Sequence, residues 1–377
     1  MTPHVVVLGG GVGGTLTANL IARHGGDKVK VTVVDSTGQH VYQPGFLYVA
    51  FGQELPQGLT RDESRLLRKD VKLLTEPAKS IDPHRQTVRL TSGKLLEYDQ
   101  LVIATGSRTV MDEVPGSSGA HTFYTMVGSV RLHQALREFK GGSILVGVAG
   151  IPYKCPPAPV EFVFLLDDYL RGRGLRERSQ IKLLSPLNRA FTIESTSKLV
   201  QPILAERGIE LCTFFNVESV DPMGKTVTSL EGETFPYDLL VLVPPHRGQQ
   251  LIEDSGLGDD RGWIPTDKQT LKHKLFDSIW ALGDATDIPI SKSGSVAHFE
   301  AGVVAAGVVA AATGVKDPLI YDGKVMCFLE TGRGRATTIR FDYQHPPKSP
   351  RPARLWHLGK LLFNKTYWHT VPQGRLP

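Results

Sequence analysis

HVVVLGGGVGGTLTANLIARHG, residues 4–25, runs from a β-branched strand through a glycine-rich turn into an apolar helical stretch. VKVTVVD, residues 29–35, follows as a second strand that ends in an acid. Gly9, Gly11 and Gly14 fit the G-x-G-x-x-G spacing. Glycines there permit the tight turn, the approach of backbone to a pyrophosphate and the packing of helix on strand. Asp35 then falls where a ribose hydroxyl is held. A plain βαβ turn is the alternative, but the strand before, the helix after and the acid at the end of the second strand together point to dinucleotide binding.

Two later stretches, YDQLVIATGSR (98–108) and IWALGDATD (279–287), are each an apolar strand ending in a small or acidic turn. They resemble the remaining signatures of the two-dinucleotide-binding-domain flavoprotein superfamily. That resemblance implies FAD, with Thr105 and Gly106 in the first signature and Gly283 and Asp284 in the second beside the cofactor. VYQPGFLYVAFG (41–52) looks like the superfamily segment that passes the isoalloxazine ring, which makes Pro44 and Gly45 candidate neighbours. A Pro-Gly pair is otherwise an ordinary turn. The fold class expected is α/β, with two Rossmann-like dinucleotide-binding domains of the glutathione-reductase-like kind and a C-terminal amphipathic, membrane-associated region. The expected boundaries are 1–110 with 250–320 for a discontinuous FAD domain, 111–249 for a second Rossmann-like domain, and 321–377 for a quinone- and membrane-associated region.

The chain has 377 residues, 41% of them hydrophobic, and 39 glycines, which suits an α/β enzyme with many tight turns. Its net charge of +5 is uneven. From Gln344 onward there are six cations (Lys348, Arg351, Arg354, Lys360, Lys365, Arg375) and no acid, so the rest carries +5 − 6 = −1. A near-neutral body with a basic, Leu- and Trp-containing tail points to a membrane surface rather than nucleic acid. Cys155, Cys212 and Cys327 are too few and too scattered for a disulfide framework or a zinc site, so no metal is expected. The N-terminus opens directly on a strand, so no signal peptide is expected. The apolar run from Ala301 to Ala312 reads as too short to span a bilayer.

GGSILVGVAGIPYKCPPAPVEFVFLLDDYL (141–170) begins a second βα unit, but its turn reads Gly147, Ala149, Pro152, and Pro156, Pro157 and Pro159 follow. Prolines remove N–H donors from the helix start that would cradle a pyrophosphate. The next strand, IKLLSP, ends in Ser185 without an acid. The expectation is a Rossmann unit whose NAD(P) site is lost. Cys155 then lies at a helix start beside Lys154, where the helix dipole would favour thiolate over thiol. A buried structural cysteine is the plainer reading, and it suits Cys212 in the strand pattern GIELCTFF better.

The FAD signatures, KCPPAPVE around Cys155, MCFLETG around Cys327 and the amphipathic C-terminus together resemble sulfide:quinone oxidoreductase over essentially the whole chain. The resemblance implies that Cys155 and Cys327 are a redox-active, sulfur-bridged pair that sulfide attacks. Two electrons then pass by way of FAD to a membrane quinone, and the sulfur leaves as polysulfide or on a small acceptor. Glu161 matches a family acid proposed as acid/base, and Lys292 a lysine that stabilises negative charge on the reduced ring. A third cysteine of several branches is absent, since the corresponding stretch HTFYTMVGS carries threonines. FAD is therefore expected to be held non-covalently.

PRPARLWHLGKLLFNKTYWHTV (350–371) places Leu355, Leu358, Leu361 or Leu362, and Trp368 on one side of a helix, with Arg354, Lys360 and Lys365 elsewhere. Such a helix can lie in a membrane interface, which makes the protein peripheral (monotopic). A terminal helix docked on the body or on a second subunit is the alternative, and a homo-oligomer is compatible with the family. The prolines before Arg354 are expected to separate the tail from the preceding sheet. By resemblance Phe363 stacks on the quinone ring, Met326 takes its other face and Lys360 lies at its headgroup. The rival functions are a type II NADH:quinone oxidoreductase and a flavin-containing redox sensor without turnover.

Overall fold

The computed structural model describes residues 2–315 and 319–375; Met1, residues 316–318 and residues 376–377, which the expected segment boundaries include, lie outside the described residues. Two parallel sheets organise the chain. The first runs in the order Ile279–Ala281, Gln100–Ile103, His4–Leu8, Lys30–Asp35, Val71–Thr75. The second runs Ile209–Cys212, Ser179–Leu184, Gly142–Val148, Leu239–Val243. Parallel strands covered on both faces read as continuous apolar runs rather than alternating ones. Val5, Val6, Val7 and Leu8 in the first sheet, and Ile144, Leu145 and Val146 in the second, are fully buried on that account. The strand from Ile279 brings residues 178 positions downstream beside the Gln100–Ile103 strand, with Ile279 opposite Leu101 and Ala281 opposite Ile103.

The helix Val12–Gly25 starts directly from the first strand. Gly9 has φ +103°, and a Cβ at Gly14 would stand 1.9 Å from the Gly9 carbonyl oxygen, so neither position takes a side chain. In the second unit the strand Gly142–Val148 leads to a helix that begins only at Ala158. Between them the chain loops through Pro152, Cys155, Pro156 and Pro157.

The helix Gly294–Thr313 lies against Val12–Gly25 and buries Val296, Ala297, Glu300, Ala301, Val304, Ala305 and Val308. Its 20 residues are long and apolar enough to cross a membrane by length and composition, beyond the short run expected from the sequence. The buried face, which includes an acid, is core packing. Beyond it an antiparallel hairpin, Val325–Gly332 and Arg335–Phe341, packs on the Ala158–Gly172 helix, and the C-terminal helix Arg354–Thr370 lies across the hairpin. The proline-rich segment before that helix does not part from the sheet. It runs back along the hairpin, with Lys348 bridged to Arg340 and Ala353 to Ala336.

Candidate functional site

The cofactor end is built first by the glycine turn. A Cβ placed at Gly11 would meet nothing within 4 Å, so the space in front of the helix start is open. The Asp35 carboxylate closes the turn: Oδ2 accepts the Gly10 N–H at 2.8 Å, and Oδ1 accepts from Thr37 and Gly38. Oδ2 keeps capacity for a further donor such as a ribose hydroxyl. After the strand Gln100–Ile103, the hydroxyls of Thr105 and Ser107 are buried without a hydrogen-bond partner, and Gly106 sits at φ +65° with open space before it. Buried polar atoms are ordinarily paired, so these orphans fit a polar ligand laid along the same edge of the sheet. The residues present suit an extended dinucleotide such as FAD.

Gly283, at φ +69°, donates its N–H to Glu300 Oε2 at 2.6 Å. Glu300 is fully buried, and burial drives its pKa up to about 8 against the opposing pull of that N–H. Asp284 is also raised by burial, with Lys154 and Lys292 acting in the opposite direction. Lys292 donates to the Asp284 and Thr286 carbonyls at 3.1 and 2.7 Å, and its ammonium lies 3.8 Å from the centre of the Trp263 ring. Pro44 and Gly45 form a 3-10 turn in which a Cβ at Gly45 would lie 2.3 Å from Leu59.

The two cysteines come from different elements, the proline loop and the hairpin, and both are tied to the segment that follows Asp284. Cys155 has φ +51° and donates its N–H to the Lys292 carbonyl at 2.7 Å, which ties the proline loop to the Asp284 segment. Its carbonyl accepts from Ala158. Cys327 sits mid-strand with the Ser293 hydroxyl bonded to its sulfur. Each thiol is free, and the charge of Cys327 is felt at Cys155.

The expectation of a dipole-stabilised thiolate at Cys155 is not met. The helix begins three residues later, and Lys154 points to Gln43 Oε1 at 3.1 Å and feels Asp284. Burial, then Cys327 and Glu161, push the Cys155 thiol far up, while Cys327 rises to about 11 by burial. Cys212, half-buried at the end of its strand, rises to about 11 by burial and then Glu210.

Next to the thiols lies a buried acid–base cluster. Glu161, on the first turn of the Ala158–Gly172 helix, forms an ion pair with Lys360 of the C-terminal helix, and both are buried. Burial alone works against the Lys360 charge, but Glu161, Tyr48 and Glu330 outweigh it and raise its pKa. Burial raises Glu161 while Lys360 pulls it back. The ammonium has two carboxylates and a phenol around it, so Lys360 stays protonated. Tyr48 bonds Lys360 and stands 3.5 Å from Glu330 Oε1, and Glu330 in turn meets His357 Nδ1 at 2.9 Å.

Met326 and Phe328 share one face of their strand and Cys327 takes the other, as strand alternation requires. Phe363 approaches Phe328 with 6.4 Å between ring centres. Trp368, expected among the membrane-facing residues, turns inward instead: it packs edge-on to His40 and Tyr367 and carries Arg61 on its face at 5.0 Å. His40 links Tyr367, through a 2.8 Å bond, to Glu63 and Thr15 next to the glycine turn. Leu355, Leu358 and Leu362 remain exposed on the C-terminal helix.

Tyr48 and Glu330 lie inside stretches already singled out in the sequence, and Glu300 directly precedes the apolar run from Ala301, yet none carried a spacing that marks it. Their roles emerge only where separate segments converge.

Residues 3–148 match the family model described as pyridine nucleotide-disulphide oxidoreductase. The match ends where the proline loop begins. The mouse protein "Sulfide:quinone oxidoreductase, mitochondrial" is 27% identical over 360 residues, covering 92% of this chain and 80% of its own. The "Sulfide-quinone reductase" of Aquifex aeolicus is 26% identical over 406 residues, covering 100% of this chain and 93% of its own. These similarities to sulfide:quinone oxidoreductases run along nearly the whole chain. The crystal structure of the Aquifex aeolicus sulfide:quinone oxidoreductase superposes with a TM-score of 0.90 at 24% identity, over 100% of this chain and 93% of that one. The similarities support an oxidoreductase with FAD as its cofactor. An "Alternative NAD(P)H-ubiquinone oxidoreductase" of Arabidopsis thaliana is also similar, 28% identical over 76% of this chain and 62% of its own.

Proposed function

We propose that this flavoprotein oxidises sulfide and passes the electrons to a membrane quinone, with Cys155 and Cys327 as the reacting sulfurs. One observation supports the reading above the others: two half-buried thiols, held by the consecutive residues Lys292 and Ser293, lie in the field of a buried Glu161–Lys360 pair. The flavin, when bound, supplies a two-electron acceptor that can pass its electrons on singly or in pairs.

The residues then have separate tasks. Hydrosulfide is a nucleophile and a sulfur–sulfur bond between the cysteines is its electrophile. Attack on the bridge leaves a persulfide on one sulfur and a thiol on the other. The raised thiol pKa values disfavour free thiolate, so Glu161, in the field of both cysteines, is positioned to take the proton as each sulfur reacts. Lys360 keeps the carboxyl oriented and offers positive charge where a quinone oxygen becomes an oxyanion. Phe363 and Met326, near the outer face of the hairpin, bracket the quinone, and Lys292 counters charge at the flavin. Gly9, Gly11, Gly14, Asp35, Pro44, Gly45, Thr105, Gly106, Gly283 and Asp284 hold FAD non-covalently.

The three prolines around the second helix start bear on the NAD(P)H alternative. Ala158 gives its N–H to the Cys155 carbonyl and Pro159 has none, so the helix start offers little to a pyrophosphate. Steady-state assay with sulfide and decylubiquinone tests the reading. Sulfide-dependent quinone reduction with no NADH-dependent activity is expected; quinone reduction by NADH but not by sulfide would overturn it.

A further inference from the structure

The cluster around Lys360 extends away from the cysteines as an unbroken line of acid–base groups that ends at the surface. From Glu161 the line passes to Lys360, to the Tyr48 hydroxyl, to Glu330 Oε1 at 3.5 Å from that hydroxyl, and from either Glu330 oxygen to His357 Nδ1 at 3.0 and 2.9 Å. The Glu330 main-chain N–H also bonds the Glu161 carboxylate, so the two acids are fixed relative to each other. Glu330 is buried, whereas the His357 side chain is 27% exposed. Four elements contribute: Glu161 from the Ala158–Gly172 helix, Tyr48 from the short Phe46–Ala50 helix, Glu330 from the hairpin, and Lys360 with His357 from the C-terminal helix. Arg340 lies 5.7 Å from the centre of the Trp356 ring rather than in the line.

We propose that Glu330 and His357 form a proton-delivery path from the surface to the quinone end of the site. The inference rests on the function proposed above, and the chemistry requires such a path. Hydrosulfide yields sulfane sulfur, one proton and two electrons. A quinone takes up two electrons and two protons to become quinol. Each turnover therefore draws one proton from water into a buried site. Imidazole exchanges protons near neutral pH, and a carboxylate shared between an imidazole and a phenol passes them inward. Leu355, Leu358 and Leu362, exposed on the same helix, place the mouth of the path beside the surface where a lipid-borne quinone arrives. His357 and Glu330 are positioning and relay residues, because neither touches the reacting sulfurs.

The test separates the two half-reactions by stopped-flow absorbance. His357→Gln is expected to leave reduction of the flavin by sulfide unchanged and to slow reoxidation by decylubiquinone on the order of tenfold, below the ~100-fold of a group in direct contact with reacting atoms. The slowing is reversed by added imidazole. Glu330→Gln acts in the same direction without imidazole rescue, and retained flavin absorbance reports its folding. Reoxidation by His357→Gln at the wild-type rate, or slowed with no rescue by imidazole, would overturn the path. Flavin reduced photochemically gives the same reoxidation readout, so failure of sulfide as donor counts against the proposed function and not against the path.

Discussion

Lys360 illustrates how a residue's meaning depends on partners far away in sequence. As a helical lysine it reads as a solvated cation, yet it is 10% exposed and lies against Glu161, 199 residues distant. Removing one member of a buried ion pair strands the other charge, whereas replacing both is close to neutral. Lys360→Met is therefore expected to cost about 3–5 kcal/mol, read as a lower urea midpoint at constant slope. Adding Glu161→Leu is expected to recover most of that loss. Additive losses in the double variant would mean that the pair is not coupled. The pairing of the cysteines is an implication of the resemblance, and their protonation was not legible in the sequence. The sequence placed Cys155 beside a helix start and a lysine; in the fold desolvation raises its thiol pKa and Lys154 turns to Gln43.

Among the elements, the glycine strand–turn–helix was fully legible because local sterics decide it: Gly9 and Gly14 admit no side chain. The helix Gly294–Thr313 was less so. Its Ala/Gly repeats announce close packing, but the acid within it looks like any polar residue until Glu300 meets the Gly283 N–H. Glu300 has a folded pKa near 8, above the ordinary value of 4.5, so the folded state holds a proton that the unfolded state releases. Stability from this group is complete below about pH 4.5 and falls as the pH rises toward about 8. Glu300→Gln keeps an acceptor for Gly283 without the charge. It is expected to flatten the fall in Tm across that window, while an unchanged pH profile would show that Glu300 ionises freely. The C-terminal helix was read correctly as amphipathic but with one residue on the wrong side. Trp368 is claimed by His40, Tyr367 and Arg61, a set of contacts that no helical period reveals.

At the scale of the molecule, two parallel sheets and the hairpin packed on them bring a loop at residue 155, a strand at 327 and a helix at 360 within electrostatic reach of one another, and leave a leucine face exposed. Leu355, Leu358 and Leu362 are 60–70% exposed and flanked by the cations Arg354 and Lys365. Burying them in a bilayer would contribute roughly 1.5–3 kcal/mol per leucine. Changing all three to Ser is therefore expected to abolish co-sedimentation with anionic liposomes while FAD content is kept; undiminished binding would place the membrane contact elsewhere. The overall architecture could be read from three flavin signatures because each is a local turn. The convergence of Tyr48, Glu161, Glu330 and Lys360 could not, since it depends on how four separate elements pack. The central claim is that Cys155 and Cys327 carry electrons from sulfide to the flavin, and anaerobic sulfide titration tests it most directly. Sulfide is predicted to bleach the flavin in the wild type and in Cys212→Ser, and to fail in Cys155→Ser and Cys327→Ser that retain FAD. Equal bleaching in all four proteins would contradict it.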